Sequence, residues 1–260
     1  MKKFFKDFKK YNSYAMYAAK AELKSEVASS YLTWLWWVLD PLFFMLIYTF
    51  IVSVVFSSSV PKLPVFVMVG ITTWDFFNKN LITSVKIIRS NRSIITQKYI
   101  PKFMLVIQKI YVNFIKYMIG FLLLIVLAII FEVEFSFHIL FIIPLLILLL
   151  ILSFGLSVIL SHFGVFIEDA ANIVQIILRL LFYVSGIFYS VSEKLSGEFA
   201  NILFRLNPMA YIIEDFRNAF MYNKALNLGL YFYWLIVSLI IAFISVKIVY
   251  KHENSYAKVI

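Results

Sequence analysis

The sequence predicts an all-α integral membrane protein, and three observations carry that reading. Of 260 residues, 63% are hydrophobic and only 15% charged, against about 25% charged in soluble domains, so the polar residues cannot cover a water-facing surface. The stretches 41–61, 135–167 and 225–246, of 21, 33 and 22 residues, hold no Asp, Glu, Lys or Arg, and about 20 apolar residues cross a bilayer as a helix. The charge that remains is lopsided, 24 Lys and Arg against 14 Asp and Glu, and clusters of basic residues on short loops set a membrane protein's orientation.

In chain order, residues 1–32 interleave Lys2, Lys3, Lys6, Lys9, Lys10, Lys20 and Lys24 with Phe4, Phe5, Phe8, Tyr11, Met16 and Ala19. That pattern predicts an amphipathic helix on the inner-leaflet interface, held by apolar burial and by anionic lipid. Its charges leave no apolar core for a secretory signal. Trp34, Trp36 and Trp37 mark the headgroup level where the first span starts. Six spans are predicted, over 36–57, 64–85, 103–131, 138–166, 170–190 and 228–250. The second, third and fifth carry isolated charges (Asp75 and Lys79, Lys109 and Lys116, Arg179) and have interfacial helices as an alternative, although 121–131 and 180–189 are too uniformly apolar to lie flat.

The lysine-rich N-terminal stretch, the link with Lys86, Arg89, Arg92, Lys98 and Lys102, and the tail with Lys251 and Lys258 fall on one side. The other side receives Lys62, the Glu132 and Glu134 turn, and a charge-balanced segment over 191–224. Both termini are therefore expected in the cytoplasm. Glu168 and Asp169 fall on the cytoplasmic side by parity and run against the trend, but acidic residues weigh little in it.

Two connections carry structure of their own. Ser90 or Asn91 can cap a short basic helix over 89–100, which Pro101 stops near Tyr99 by holding Ile100 extended. Ile94, Ile95 and Tyr99 give it an apolar edge suited to a protein groove. On the other side, Asn207 reads as an N-cap with Pro208 in the first helical position, and Tyr211, Ile212, Asp215, Phe216 and Ala219 share one face. With the amphipathic stretch 193–205, this predicts two short helices over 193–222, folded back as a lid.

Catalytic chemistry finds no carrier. None of the seven glycines precedes Lys, so the phosphate-cradling G-x-x-x-x-G-K-[ST] loop is missing. There is no Cys, His138, His162 and His252 are too scattered for a local metal cluster, and the paired carboxylates sit at aqueous edges. No catalytic or metal-binding residue is assigned. The informative signal is charge within the membrane, which is costly and marks function by default. Lys102, Lys109, Asn113 and Lys116 share one face of the third span, and Asn172, Gln175, Arg179 and Tyr183 one face of the fifth. They suggest a cationic path for an anionic headgroup such as a pyrophosphate, with lysine snorkelling as the alternative. At 1.5 Å per residue, Asp75 and Arg179 reach a similar depth of roughly 15 Å, which predicts an ion pair between them.

The serial order of these features carries a resemblance. A basic amphipathic start, YLTWLWWVLDP at 31–41, VGITTWDFF at 69–77, NRSIITQKYIP at 91–101, GVFIEDA at 164–170, FYVSGIFYS at 182–190 and LNPMAYIIEDFRNAF at 206–220 resemble, in order and spacing, the permease subunit of type-2 ABC exporters. Within these, the chain is similar to the branch exporting teichoic acids, O-antigens and capsular polysaccharides. The resemblance spans essentially the whole chain. It implies a homodimer docked on two copies of a separate ATPase that alone holds ATP and Mg, a coupling helix containing Asn91, Ile94, Ile95, Gln97, Lys98 and Tyr99, and an outer gate over 193–222 with Tyr189, Asn207, Pro208 and Tyr211. It also implies that aromatics line the glycan channel, with Trp74 and Tyr183 among the candidates for stacking on sugars; Asp75, Lys109, Asn113, Lys116 and Arg179, read from charge within the membrane, are the other candidates for the translocation path. Two departures stand out: Ile100 where Phe often precedes Pro101, and Gly186 where Pro is common.

The implied function is ATP-driven movement of a lipid-linked polysaccharide or teichoic acid from the cytoplasmic to the outer side of a bacterial plasma membrane. A type-2 exporter of drugs or small lipids, a polyprenyl-phosphate membrane enzyme, and a proton-coupled transporter with Asp75 as carrier are the competing readings.

Overall fold

The computed structural model describes residues 2–29, 32–55, 60–97 and 99–259, and every regular element among them is helical. The chain runs through α1 (Lys2–Ser29), α2 (Thr33–Phe50, continued by a π-turn over Ile51–Val55), α3 (Leu63–Ser90), α4 (Arg92–Gln97) and α5 (Lys102–Ile130). A 3₁₀ turn (Phe137–Phe141) then leads into α6 (Ile142–Phe166), followed by α7 (Ala170–Val184), α8 (Val191–Lys194), α9 (Gly197–Leu206), α10 (Pro208–Phe220), α11 (Leu228–Lys251) and α12 (Glu253–Val259).

Four of these segments are long and apolar enough to cross a membrane: Thr33–Val54, Lys102–Ile130, Phe137–Phe166 and Leu228–Lys251. The chain is a multi-pass membrane protein by that measure. The other two expected spans differ from the sequence reading. α3 reaches five residues beyond the expected end, to Ser90, because nothing between 85 and 90 breaks the helix. α7 has 15 residues and stops at Val184 rather than 190, because Gly186 takes up a left-handed φ of 68°.

α3 is the central helix, packing against α2, α5, α6, α7 and α10. Its burial explains how it tolerates polar residues: Thr72, Thr73, Asn80 and Ser84 all face protein, where Thr72 donates to the Met68 carbonyl and Asn80 to that of Phe76, both at 2.8 Å, and only the Ser84 hydroxyl among the four is buried without a hydrogen-bond partner among the described residues. In lipid such groups must be satisfied internally. α6 lies between α3 and α11 and approaches both through glycines. A methyl group on Gly155 would stand 2.8 Å from the Ala242 nitrogen, and one on Gly164 only 1.8 Å from the Val85 carbonyl oxygen. Small residues let membrane helices touch backbone to backbone.

α2 is the opposite case. Met45 is its single buried side chain, and Pro41 within it removes one helical hydrogen bond, leaving the Trp37 carbonyl without that partner. α1 does not rest on lipid alone, as its composition suggested. It packs along α5 and touches α2, with Ala15 and Ala19 buried at the contact, Phe4 against Phe103 and Phe154, and Asp7 accepting the Tyr250 hydroxyl at 2.7 Å. Met16 and Tyr17 are exposed.

Gly164→Ala is expected to push α3 and α6 apart and to destabilise the protein by about 1–3 kcal/mol, the cost of overpacking a tight contact. Gly197→Ala, where no atom lies within 4 Å, leaves stability unchanged. Thermal unfolding of the two purified variants in one detergent compares them directly.

Candidate functional site

α2, α3 and α5 enclose a polar cleft lined by Trp36, Trp37, Asp40, Thr72, Asp75, Lys79, Asn113, Lys116 and Tyr117. Three residues expected on a translocation path, Asp75, Asn113 and Lys116, meet here. Lys109, Trp74, Arg179 and Tyr183 do not line it. Asn113 donates to Asn80 at 2.9 Å, and the Lys116 ammonium lies 5.3 Å from the Trp37 ring centre. The cleft holds about 50 Å³, well below the roughly 300–1,000 Å³ of small-molecule sites.

The expected Asp75–Arg179 ion pair is not formed. Asp75 pairs with Lys79 one turn along its own helix at 2.7 Å, a shorter reach than any partner on α7. Arg179 is exposed and has no partner among the described residues. Trp74 is buried, and its ring meets those of Phe77 and Phe182. Phe182 and Phe188 continue this aromatic cluster to Tyr48, whose ring stacks on Phe188 at 4.0 Å. Tyr183 is exposed, and its carbonyl accepts the Tyr189 hydroxyl at 3.2 Å.

The lysines of α5 are not free cations. Lys109 pairs with Glu22, which also accepts from Gln108 at 3.3 Å, and Lys116 pairs with Glu26 at 2.6 Å. All four charged groups are a fifth to a third exposed, which keeps each pair within about 1 kcal/mol. Tyr111 donates to Asn12 at 2.6 Å. Sequence reasoning placed the lysines on one face and missed their partners, although Glu22 and Glu26 stand one turn apart and so share a face of α1.

The short helix after α3 is present as α4, but Ser90 and Asn91 do not cap it with their side chains. Both donate back to the Ile87 carbonyl, at 3.2 and 2.8 Å, finishing α3 instead. Ile95, expected on an open apolar edge, is buried, and α4 packs on α12. Tyr99 donates to Glu253 at 3.0 Å; partial burial, followed by that carboxylate, pushes its phenol up to about 12, so it stays a donor at any physiological pH. Tyr256 of α12 is buried against His162 at 2.8 Å. The open face of α4 consists of Arg92, Ser93, Thr96 and Gln97, with Ile94 half-buried; Lys98 lies outside the described residues.

At the opposite end, three short helices rather than two fill the connection from α7 to α11. Asn207 caps α10 as expected, accepting from the Met209 and Ala210 amides at 3.0 and 3.3 Å, with Pro208 in the first turn. α10 is buried nearly all round, not on one face. Its Tyr211 donates to the Asn227 carbonyl at 3.3 Å. Asp215 accepts from the Asn227 amide and from Asn218, both at 3.0 Å, and burial still pushes its carboxyl up.

Arg217 was not anticipated. It is 1% exposed and donates to the carbonyls of Phe66 at 3.2 Å, Gly186 at 2.7 Å, Ile187 at 2.6 Å and Tyr189 at 3.4 Å. Its guanidinium carbon lies 3.4 Å from the Phe66 ring centre. Glu214, held by Ser190 at 2.7 Å, stands 3.8 Å away. Burial pulls the guanidinium down to about 9 against the pull of Glu214, so it remains charged at neutral pH. Gly70 makes room for it: a methyl group there would lie 2.8 Å from Nη2. Gly186, the departure from an expected Pro, is explained by its positive φ, which proline cannot adopt. Among the described residues no group of three or more His, Asp or Glu could hold a metal.

Residues 16–221 match the family described as ABC-2 type transporter. The chain is 26% identical over 240 residues, 92% of each chain, to an O-antigen export system permease protein RfbA of Klebsiella pneumoniae. It is 22% identical over 203 residues, 78% of each chain, to the protein of that name from Myxococcus xanthus.

Two outcomes follow from the geometry. Arg217→Met leaves the Gly186 and Ile187 carbonyls without their donor and Glu214 without its counter-charge, and should cost about 3–5 kcal/mol, read as a fall in melting temperature and faster proteolysis of 185–190. In a double-mutant cycle on melting stability, Glu26→Gln and Lys116→Gln couple, whereas Asp75→Asn and Arg179→Gln add to within about 0.5 kcal/mol.

Proposed function

We propose, from the premise that the chain belongs to the ABC-2 type transporter family, that it is the membrane-spanning subunit of an ATP-driven exporter that moves a lipid-linked polysaccharide outward across the plasma membrane. The observation that carries the substrate class is the similarity to O-antigen export permeases, two of which align over 92% of their length. In this reading the subunit crosses the membrane six times, α3 and α7 joining the four long apolar helices, with both termini in the cytoplasm. It pairs with a second copy and with two copies of a separate ATPase, which binds ATP and Mg; this chain performs no chemistry.

The basic loops support that orientation. α4 is the element placed to touch the ATPase, through Arg92, Ser93, Thr96, Gln97 and Tyr99. The clasp between Tyr99 and Glu253 ties it to the C-terminal helix, so force on α4 reaches α12 and, through Tyr256 and His162, α6. The helices α8 to α10 form the outer gate, over Tyr189, Asn207, Pro208 and Tyr211. Opening the cleft between α2, α3 and α5 requires α2 to move, the helix with least buried surface. Trp36, 49% exposed, and Trp37 then offer ring faces to sugar C–H surfaces.

Co-purification with the ATPase encoded beside it tests the reading. A stable complex with ATP hydrolysis that exports glycan is the expected result, and Thr96→Asp with Gln97→Asp should lower complex recovery about tenfold, equivalent to about 1.4 kcal/mol of docking energy. These side chains are exposed, so the variant folds. Export by the chain alone, without any ATPase, would refute the assignment.

A further inference from the structure

At the end of the bundle that carries α4, the helices α1, α3 and α5 enclose a cavity of about 370 Å³ lined by Glu22, Thr83, Ser90, Asn91, Gln108 and Lys109 among others. That volume is within the range of small-molecule sites, about 300–1,000 Å³. Three of its polar side chains are committed to backbone of their own helix: Thr83 to the Lys79 carbonyl at 2.6 Å, Ser90 and Asn91 to that of Ile87. Gln108 and Lys109 are not. Both reach across to α1, where each donates to one oxygen of the same Glu22 carboxylate.

That arrangement is a two-donor grip on an anion. Lys109 lies seven residues into α5, roughly 10 Å from its start, where an unpaired ammonium is costly. A carboxylate from a helix outside the bundle neutralises it, rather than a neighbour within it. Phosphate oxygens take the same donors in the same way, as charge-assisted hydrogen bonds from ammonium and amide.

We propose that this cavity is a binding site for a phosphate or pyrophosphate ester, in which Lys109 and Gln108 hold the ligand's oxygens and Glu22 is a stand-in anion that the ligand displaces. The inference deepens the exporter reading and rests on it for the source of the ligand, since a lipid carrier presents its phosphate at the membrane surface, where α1 lies. Displacement also breaks one of the contacts that hold α1 to α5, so occupancy is signalled to α1.

The test uses the full chain in phosphatidylcholine nanodiscs without ATPase, with inorganic pyrophosphate and farnesyl pyrophosphate as probes. Glu22→Gln should bind pyrophosphate about tenfold tighter than wild type, Glu22→Gln with Lys109→Gln should lose that gain, and Glu26→Gln, which does not line the cavity, should match wild type. A gain for farnesyl pyrophosphate alone assigns a lipid-borne ligand; equal gains assign the anion itself. No gain for either probe in a variant that melts like wild type overturns the proposal, as does a response confined to added phosphatidylglycerol. A second measurement needs no variant: carbodiimide coupling of Glu22 to Lys109, read by mass spectrometry, should be suppressed by pyrophosphate, and unchanged coupling at saturating probe refutes displacement. Neither readout involves ATP or export, so failure of the exporter reading and failure of the site are separately visible.

Discussion

A guanidinium with no access to water holds the far end of this protein together. Arg217 is costly to bury, and only its full set of acceptors makes it tolerable: backbone carbonyls from the start of α3 and from the turn after α7 converge on it. The carbonyls of Gly186 and Ile187 belong to irregular backbone, which in a membrane-embedded fold must be bonded to protein. One side chain thus solves both problems, and the solution dictates its surroundings. Gly70 has no side chain because Arg217 occupies the space, Gly186 turns the chain so that its carbonyl points inward, and Ser190 orients Glu214 beside the charge.

The same logic of paired charge operates at the other end in a looser form. Lys109 and Lys116 of α5 lie too deep to be left alone and too near the surface to be sealed, and α1 answers them with two carboxylates one turn apart. Such half-exposed pairs position more than they stabilise. They dock a helix whose own composition is that of an interfacial element, and they make that docking responsive to any competing anion.

Much of the helical architecture was legible because apolar runs and their flanking charges report it directly; α5 and α11 begin and end within a residue of expectation, as does α6 once the 3₁₀ turn Phe137–Phe141 that leads into it is counted. The Asn207–Pro208 cap was equally plain, since its chemistry is local. What stayed hidden depended on tertiary neighbours. Nothing in the heptad-like spacing of Lys109 and Lys116 identifies Glu22 and Glu26 as partners across some 90 positions of chain, and depth alone matched Asp75 to Arg179 when a lysine one turn away was the nearer choice. Arg217 was masked by company: in a segment with balanced charges nothing singled it out, and a buried arginine is betrayed only by the fold around it. α12 carried no apolar run to announce it, and its contact with α4 reverses the expected exposure of Ile95.

The contact between Gly164 and the Val85 carbonyl has a mechanical consequence. Two helices touching backbone to backbone cannot roll or press closer without driving one main chain into the other, and α11 meets α6 in the same manner at Gly155. α3, α6 and α11 are therefore a single stiff strut. Deformation must be taken up by what is attached to that strut through side chains alone, and α2, interrupted by Pro41 and ending in a π-turn, is the compliant member.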